Sequence, residues 1–275
     1  MKNVDVATVE GFGDEWSRMP QDTVSDAEVQ RSFELYFGVF PWSALPTEAR
    51  GCDFGCGSGR WAAKVAPKVG HLTVLDASEE ALEVAKTNLA DHPNVKPVHA
   101  SVSDTPFATA SLDFAYSLGV LHHVPDTDAA VAEIARVLKP GAPFLVYLYY
   151  AFDNRAPWFR ALWQLSDVGR KRISRLPHGP RYAVSQAIAG LVYWPLARAG
   201  GALKRVGALP ESWPLKFYVN HSFYVMRTDA LDRFGTQLEK RYTKEECIAL
   251  LERHGFKDVR VSTEMPYWTL CGIRA

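Results

Sequence analysis

The stretch CDFGCGSGRW, residues 52–61, constrains this chain more than any other. A short apolar run closes on Asp53 and Phe54. Glycines follow at 55, 57 and 59, and a helix-like run starts at Arg60. Glycine lacks a Cβ and adopts positive φ readily, so a turn built from three of them brings bare backbone close to whatever packs against it. Such a turn needs a strand before it and a helix after it, which places the chain among the α/β folds.

The flanking pattern agrees. Short apolar runs at 51–54, 71–76, 95–101, 111–119 and 143–150 read as strands. Helical runs at 60–69, 78–92 and 126–140 alternate with them, the last stopped by Pro140-Gly141. That alternation predicts a doubly wound, mostly parallel sheet with helices on both faces. Residues 151–240 then hold tryptophan, proline and arginine without a strand pattern. The alternation resumes at residue 243. Thr243 and Glu246 have the spacing of a capping box, Gly255 follows as a stop, and 259–264 and 268–275 read as strands. The expected organisation is an N-terminal helical lid segment (1–48), a core (49–150 and 241–275) and a largely helical insertion (151–240). In the lid segment, Gly11 and Gly13 would permit movement while Phe12 and Trp16 cover an apolar ligand.

Charge removes one class of partner. With 31 basic and 31 acidic residues the formal net charge is zero, which argues against nucleic acid. Cys52, Cys56, Cys247 and Cys271 are too scattered for a disulfide framework and show no metal-ligand spacing, so neither a disulfide nor a metal is expected. The first residues lack the apolar core of a secretory leader. The most apolar tract, 183–203, is broken by Gln186, Pro195 and Arg198, so no spanning helix is expected. A cytoplasmic location follows, with peripheral membrane contact through 151–210 as an added reading. That stretch holds ten Lys or Arg against Asp153 and Asp167 alone, interleaved with aromatics. Basic aromatic helices suit an anionic membrane surface. They equally suit a lid whose aromatics cover a pocket while its arginines stay solvated.

Two ligand classes compete for the glycine turn. Dinucleotide sites use G-x-G-x-x-G to bring a pyrophosphate to a helix N-terminus. Here the spacing is G-x-G-x-G, and Asp53 would repel a pyrophosphate while suiting an ammonium group. Asp76 closes the second strand, where an acid can accept from two ribose hydroxyls. A ligand with a ribose, a cationic amino-acid end and no phosphate satisfies both acids.

These segments, with SVSDTPFATASLDFAYSLGVLHHVPD and ARVLKPGAPFLV, resemble the class I S-adenosylmethionine-dependent methyltransferases, and more narrowly the type 11 branch that includes quinone-biosynthesis enzymes. The resemblance covers about 49–150 and 243–275. It implies a seven-stranded Rossmann-like sheet with an antiparallel last strand. It also implies that Asp53 lies near the methionine amino group, and that Gly55, Cys56 and Gly57 give close backbone approach. Asp76 would hold the ribose, Ala77 would flank the adenine, and Ser117 and Leu118 would border the sulfonium. Ser101, followed by Val102, stands where the family usually has an acid, and Asp104 is off register. The product would be S-adenosylhomocysteine.

For the acceptor, the sequence offers His122 at the end of the fourth strand, as proton acceptor or packing residue. Tyr149 and Tyr150 end the fifth strand, where alternation predicts that one of them faces the core. His221 lies in a charged segment ending at Arg241 that either approaches the acceptor or forms an ion-paired surface. Methyl transfer to a small molecule, O-methylation first, is the expected function. A lipid or quinone-type acceptor at a membrane surface and a non-catalytic cofactor-binding protein are the alternatives. Nothing in the sequence assigns an oligomeric state.

Overall fold

The computed structural model describes residues 1–275. Seven strands form one sheet: β1 (Arg50–Phe54), β2 (His71–Asp76), β3 (Val95–His99), β4 (Phe114–Leu118), β5 (Pro143–Tyr147), β6 (Phe256–Val261) and β7 (Thr269–Arg274). Their order is β3-β2-β1-β4-β5-β7-β6. Only β7 runs against the rest, pairing antiparallel with both β5 and β6. The chain therefore folds as the doubly wound seven-stranded sheet that the alternation and the resemblance imply.

Burial explains the strand order. β1, β4 and β5 are buried along nearly their whole length, as strands covered on both faces are. β3 carries Pro97, which has no N–H to give, and lies at an edge. β1 sits between β2 and β4, where the winding reverses direction. A crevice opens at the carboxyl ends of strands at such a switch point.

The helices associated with the sheet are α1 (Val6–Arg18), α2 (Asp26–Phe37), α3 (Ala62–Val65), α4 (Glu79–Asn88) and α5 (Thr127–Val137), with α10 (Lys244–Arg253) near the end of the chain. One core cluster joins Phe54, Leu75, Ile134 and Phe144 to Leu250 and Leu251 of α10. The other joins Phe33 and Phe37 of α2 to Trp61, Leu72, Val74 and Tyr116.

Several boundaries differ from the sequence pattern. The helix expected over 60–69 is only one α-turn followed by a tighter turn at Ala66–Lys68. Pro67 cannot donate into the ladder and ends it. β3 stops at His99, and Ser101 instead bridges Asp104. β6 starts at Phe256, because Gly255 at φ +79 ends the helix and turns the chain at once. Gly11 and Gly13 lie inside α1 and are not hinges. A Cβ on Gly13 would come 2.8 Å from Ser78 Oγ, so this glycine lets α1 approach the start of α4 closely. Asp5 caps α1 by accepting from the Thr8 amide.

The chain divides into two compact units. One holds residues 1–22, 29–151 and 238–275, and the other holds 23–28 and 152–237. The second contains α6 (Pro157–Ile173), α7 (His178–Ile188), a wider π-turn at Ala189–Tyr193, α8 (Trp194–Arg205) and α9 (Phe223–Gly235). Its small core comprises Ala189, Tyr193, Ala197, Met226, Ala230 and Phe234. Arg170 and Arg181 are buried here, contrary to the expectation that the arginines of this segment stay solvated. Arg170 donates to the Thr236 carbonyl and Arg181 to the Gly235 carbonyl. The last carbonyls of a helix need donors, and these arginines supply them at the end of α9.

The capping box at α10 forms as its spacing predicts. Thr243 Oγ1 accepts from the Glu246 amide, and Glu246 accepts from the Thr243 amide. Thr243→Ala removes the first bond and should lower stability by about 1 kcal/mol, read by urea denaturation. No loss would show that core packing of Cys247, Leu250 and Leu251 alone holds α10.

Candidate functional site

The glycine turn takes its shape from two neighbours. The amides of Gly55 and Cys56 donate to the Leu75 carbonyl at 2.7 and 3.1 Å. The Asp76 carboxylate accepts from the Gly57 amide through one oxygen and from the Ser78 amide through the other, both at 2.9 Å. One side chain thereby ties the turn after β1 to the start of α4. Gly55 has φ +80, and a Cβ there would fall 2.4 Å from the Val120 side chain. Gly57 has φ +54, and its Cβ would meet the Trp16 indole at 2.9 Å. The turn is thus a cradle of bare backbone closed over by an aromatic ring.

Beside it lies a cavity of about 120 Å³. Its floor is Gly55–Ser58 with Arg60 and Trp61, and its sides are Asp76 and Ala77, Ser101 and Val102, and Leu118–Val120 with His123 and Val124. Asn3, Val4, Asp5, Thr8, Val9, Phe12 and Trp16 complete the wall. Of the residues singled out in the sequence, Gly55, Cys56, Gly57, Asp76, Ala77, Ser101, Val102 and Leu118 line this space, and Phe12 and Trp16 border it as a lid would. The Asn3–Val9 part of the wall has no counterpart in the sequence reading. The signal was available in Asp5, Thr8, Phe12 and Trp16, which recur at helical spacing behind an N-cap aspartate.

The other named residues lie elsewhere. Asp53 is only 1% exposed and is not part of the wall. Burial raises its carboxyl well above the ordinary carboxylate value, and the charge of Asp76 adds to the rise. The Tyr116 hydroxyl is near enough to oppose that shift, yet neither it nor Asp53 Oδ2 makes a hydrogen bond of normal geometry. Ser117 is buried, its hydroxyl donating to the Phe54 carbonyl at 2.8 Å. Ser101 donates to the Lys2 carbonyl at 2.6 Å, holding the N-terminal segment against the site. Burial, then Asp76 and Asp53, push the Cys56 thiol up, so it is a neutral small side chain and no nucleophile.

The two histidines differ in kind. His122 is fully buried, stacks on Tyr149 with ring centroids 3.8 Å apart, and accepts from the Tyr149 amide through Nδ1. That bond puts the proton of the neutral ring on Nε2. Burial, His123 and Arg241 hold its pKa well below the usual value. Its free ring nitrogen is therefore a donor, which does not suit the proton-accepting role read from the sequence. His123 does line the cavity. Its Nδ1 lies 2.7 Å from the Leu238 carbonyl, which can only accept, so in the neutral ring Nε2 carries the lone pair. β5 ends at Tyr147, so Tyr149 and Tyr150 lie beyond the strand read over 143–150; Tyr150 packs against the core cluster of α5 and α10, and Tyr149 packs on His122. His221 belongs to the second unit, stacked on Phe217 and bonded through Nδ1 to its carbonyl. No three His, Cys, Asp or Glu side chains converge as metal ligands would.

Residues 52–146, about a third of the chain, match the family described as a methyltransferase domain. Over 116 residues the chain is 39% identical to the demethylmenaquinone methyltransferase of Staphylococcus aureus (strain MRSA252). That alignment takes in 41% of this chain and 47% of the relative, so the chain spans about half the length of the curated relatives it matches. The fold continues beyond the matched segment. A SAM-dependent methyltransferase from Thermotoga maritima superposes over 96% of this chain and 100% of its own, with TM-score 0.50 and 15% identity. A methyltransferase solved with a Haloferax volcanii activator covers 95% and 96%, with TM-score 0.51 and 15% identity. These two likenesses concern the fold alone.

The glycine turn makes a sharp prediction. Gly55→Ala combines positive φ with a clash against Val120, whereas Gly119→Ala has φ +80 and no atom within 4 Å. Gly119→Ala should cost about 1–2 kcal/mol from backbone strain alone. Gly55→Ala should cost clearly more. Equal losses in chemical denaturation would mean that Val120 yields without penalty.

Proposed function

We propose that the protein methylates a small-molecule acceptor, using S-adenosylmethionine held in the cavity beside the glycine turn. The observation that carries this reading is the pairing of a bare-backbone cradle with two acids of different kind. Gly55–Gly57 allow close approach. Asp76 lines the wall and keeps lone pairs beyond the two amides it holds. Asp53 keeps a carboxyl oxygen without a partner, buried behind the turn and outside the wall, so an ammonium group reaches it only by displacing the side chains that cover it. Arg60 on the floor suits the ligand's carboxylate end.

When bound, S-adenosylmethionine supplies an electrophilic methyl on a sulfonium. The residues then have three tasks. The turn and Asp76 orient the donor, since positioning supplies most of the rate in an in-line displacement. Trp16, Phe12 and Val120 exclude water. His123 Nε2 takes the proton released by an acceptor hydroxyl, so O-methylation is the first reading. A quinone-type acceptor is the second, supported by the printed name of the Staphylococcus aureus relative and by the apolar wall of α1.

Asp53 gives the test its sign. A carboxyl whose folded pKa is raised contributes stability below the unfolded value and loses it as pH rises through the folded value. Asp53→Asn should therefore melt higher than wild type without ligand, by a margin that grows from pH 5 to 8. It should also bind S-adenosylmethionine at least about tenfold more weakly in calorimetry, the loss of one charge-assisted bond. Unchanged affinity would remove the ammonium from this position.

His123→Asn should leave that affinity intact and slow transfer of radiolabelled methyl to a hydroxylated acceptor by about 10²-fold or more. Retained turnover would exclude His123 as the base. Binding without transfer to hydroxylated or quinone-type acceptors would favour a non-catalytic binding protein.

A further inference from the structure

Helix α6 turns Phe159, Trp163 and Ile173 partly inward, yet it carries a second apolar stripe on its outside. Its inner face carries Asp167 and Arg170, both buried and paired with each other. Its outer face carries Trp158, Leu162, Leu165 and Val168, each at least 50% exposed. Steps of four, three and three residues put these four on one stripe. The next helical run repeats the arrangement. Arg181 and Ser185 are buried, while Ala183, Ala187 and Leu191 face out. A helix at a water surface shows the reverse, apolar side chains inward and charges outward. Exposed apolar stripes of this kind mark a contact with a membrane or another protein.

Charge selects between these occupants. Residues 151–210 hold ten basic side chains and two acidic ones, a local excess of 10 − 2 = +8 in a chain of zero net charge. Arg172 and Arg175 are exposed where α6 ends, as is Lys171 although it pairs with Asp167, and Arg198, Lys204 and Arg205 are exposed on or next to α8. A second copy would bring the same positive field against itself. The exposed indoles of Trp158 and Trp194 suit the level of lipid headgroups, being apolar with one polar edge. No helix is long and apolar enough to cross a membrane.

We propose that this face of the second compact unit docks on an anionic lipid bilayer, with α6 lying in the headgroup layer. The bilayer covers the Trp158–Val168 stripe, and the basic side chains meet the headgroups. The inward charges of α6 and α7 then sit where charges in a lipid-facing helix must sit, paired inside the protein. The proposal does not depend on methyl transfer, because nothing in this face belongs to the cavity.

The test is flotation of the full chain with vesicles. Phosphatidylglycerol-containing vesicles should carry the protein at low salt, pure phosphatidylcholine vesicles should not, and added salt should release it. Brominated acyl chains should quench the tryptophan emission, and less so in Trp158→Phe. The double variant Leu162→Asp, Leu165→Asp should lower the bound fraction at least about tenfold while melting temperature and S-adenosylmethionine affinity stay unchanged. If that variant fails to fold, Lys171→Gln with Arg172→Gln and Arg175→Gln should show the same loss. No flotation at low salt overturns the proposal. So does a dimer in light scattering that the double variant abolishes while vesicles carry nothing, because a second copy then owns the face.

Discussion

The Asp76 carboxylate is the interaction on which the site depends. It holds the Gly57 amide with one oxygen and the Ser78 amide with the other. The first bond sets the glycine turn at its positive φ values. The second places Ser78, whose hydroxyl then caps α4 by accepting from the Ala81 amide. Ser78 is also the surface that Gly13 allows α1 to approach, and α1 brings Trp16 over Gly57. Sheet, cradle, helix start and lid helix are linked through one half-buried acid. Its raised pKa reflects burial, and the two amides oppose that rise.

Asp53 shows the cost that accompanies such a site. A fully buried carboxyl with an unpartnered oxygen destabilises the empty protein, and Asp76 nearby makes ionisation harder still. A core chosen for stability alone would place an apolar residue there, since an unsatisfied buried polar group is expensive. Retaining the acid makes sense where a cationic group arrives to meet it, so that stability is gained on binding. The same trade recurs across binding sites that are strained or unsatisfied when empty.

The second compact unit follows another logic. Its arginines at 170 and 181 point inward because the carbonyls at the end of α9 need donors. With Asp167 and Arg170 taking part of the inner face, Trp158, Leu162, Leu165 and Val168 are left on the outside. Composition showed only that this segment is basic and aromatic. The direction each side chain faces follows from how the helices pack.

The sequence by itself determined the fold class and the position of the crevice. Alternating strand and helix patterns dictate a parallel sheet, and a glycine turn with Asp53 and Asp76 marks where the winding reverses, because these signals are local and each has a short-range physical cause. The capping box at Thr243 was legible for the same reason. Only tertiary structure decided the rest. Adjacent histidines look alike in sequence, yet a Tyr149 amide and a Leu238 carbonyl, both distant in the chain, give them opposite tautomers and put only His123 on the cavity wall. Gly13 reads as a hinge until the approach of Ser78 shows it as a packing glycine. Asp53 reads as a wall residue until the strands around it bury it. In each case the deciding neighbour lies tens of residues away, and only long-range packing brings it into contact.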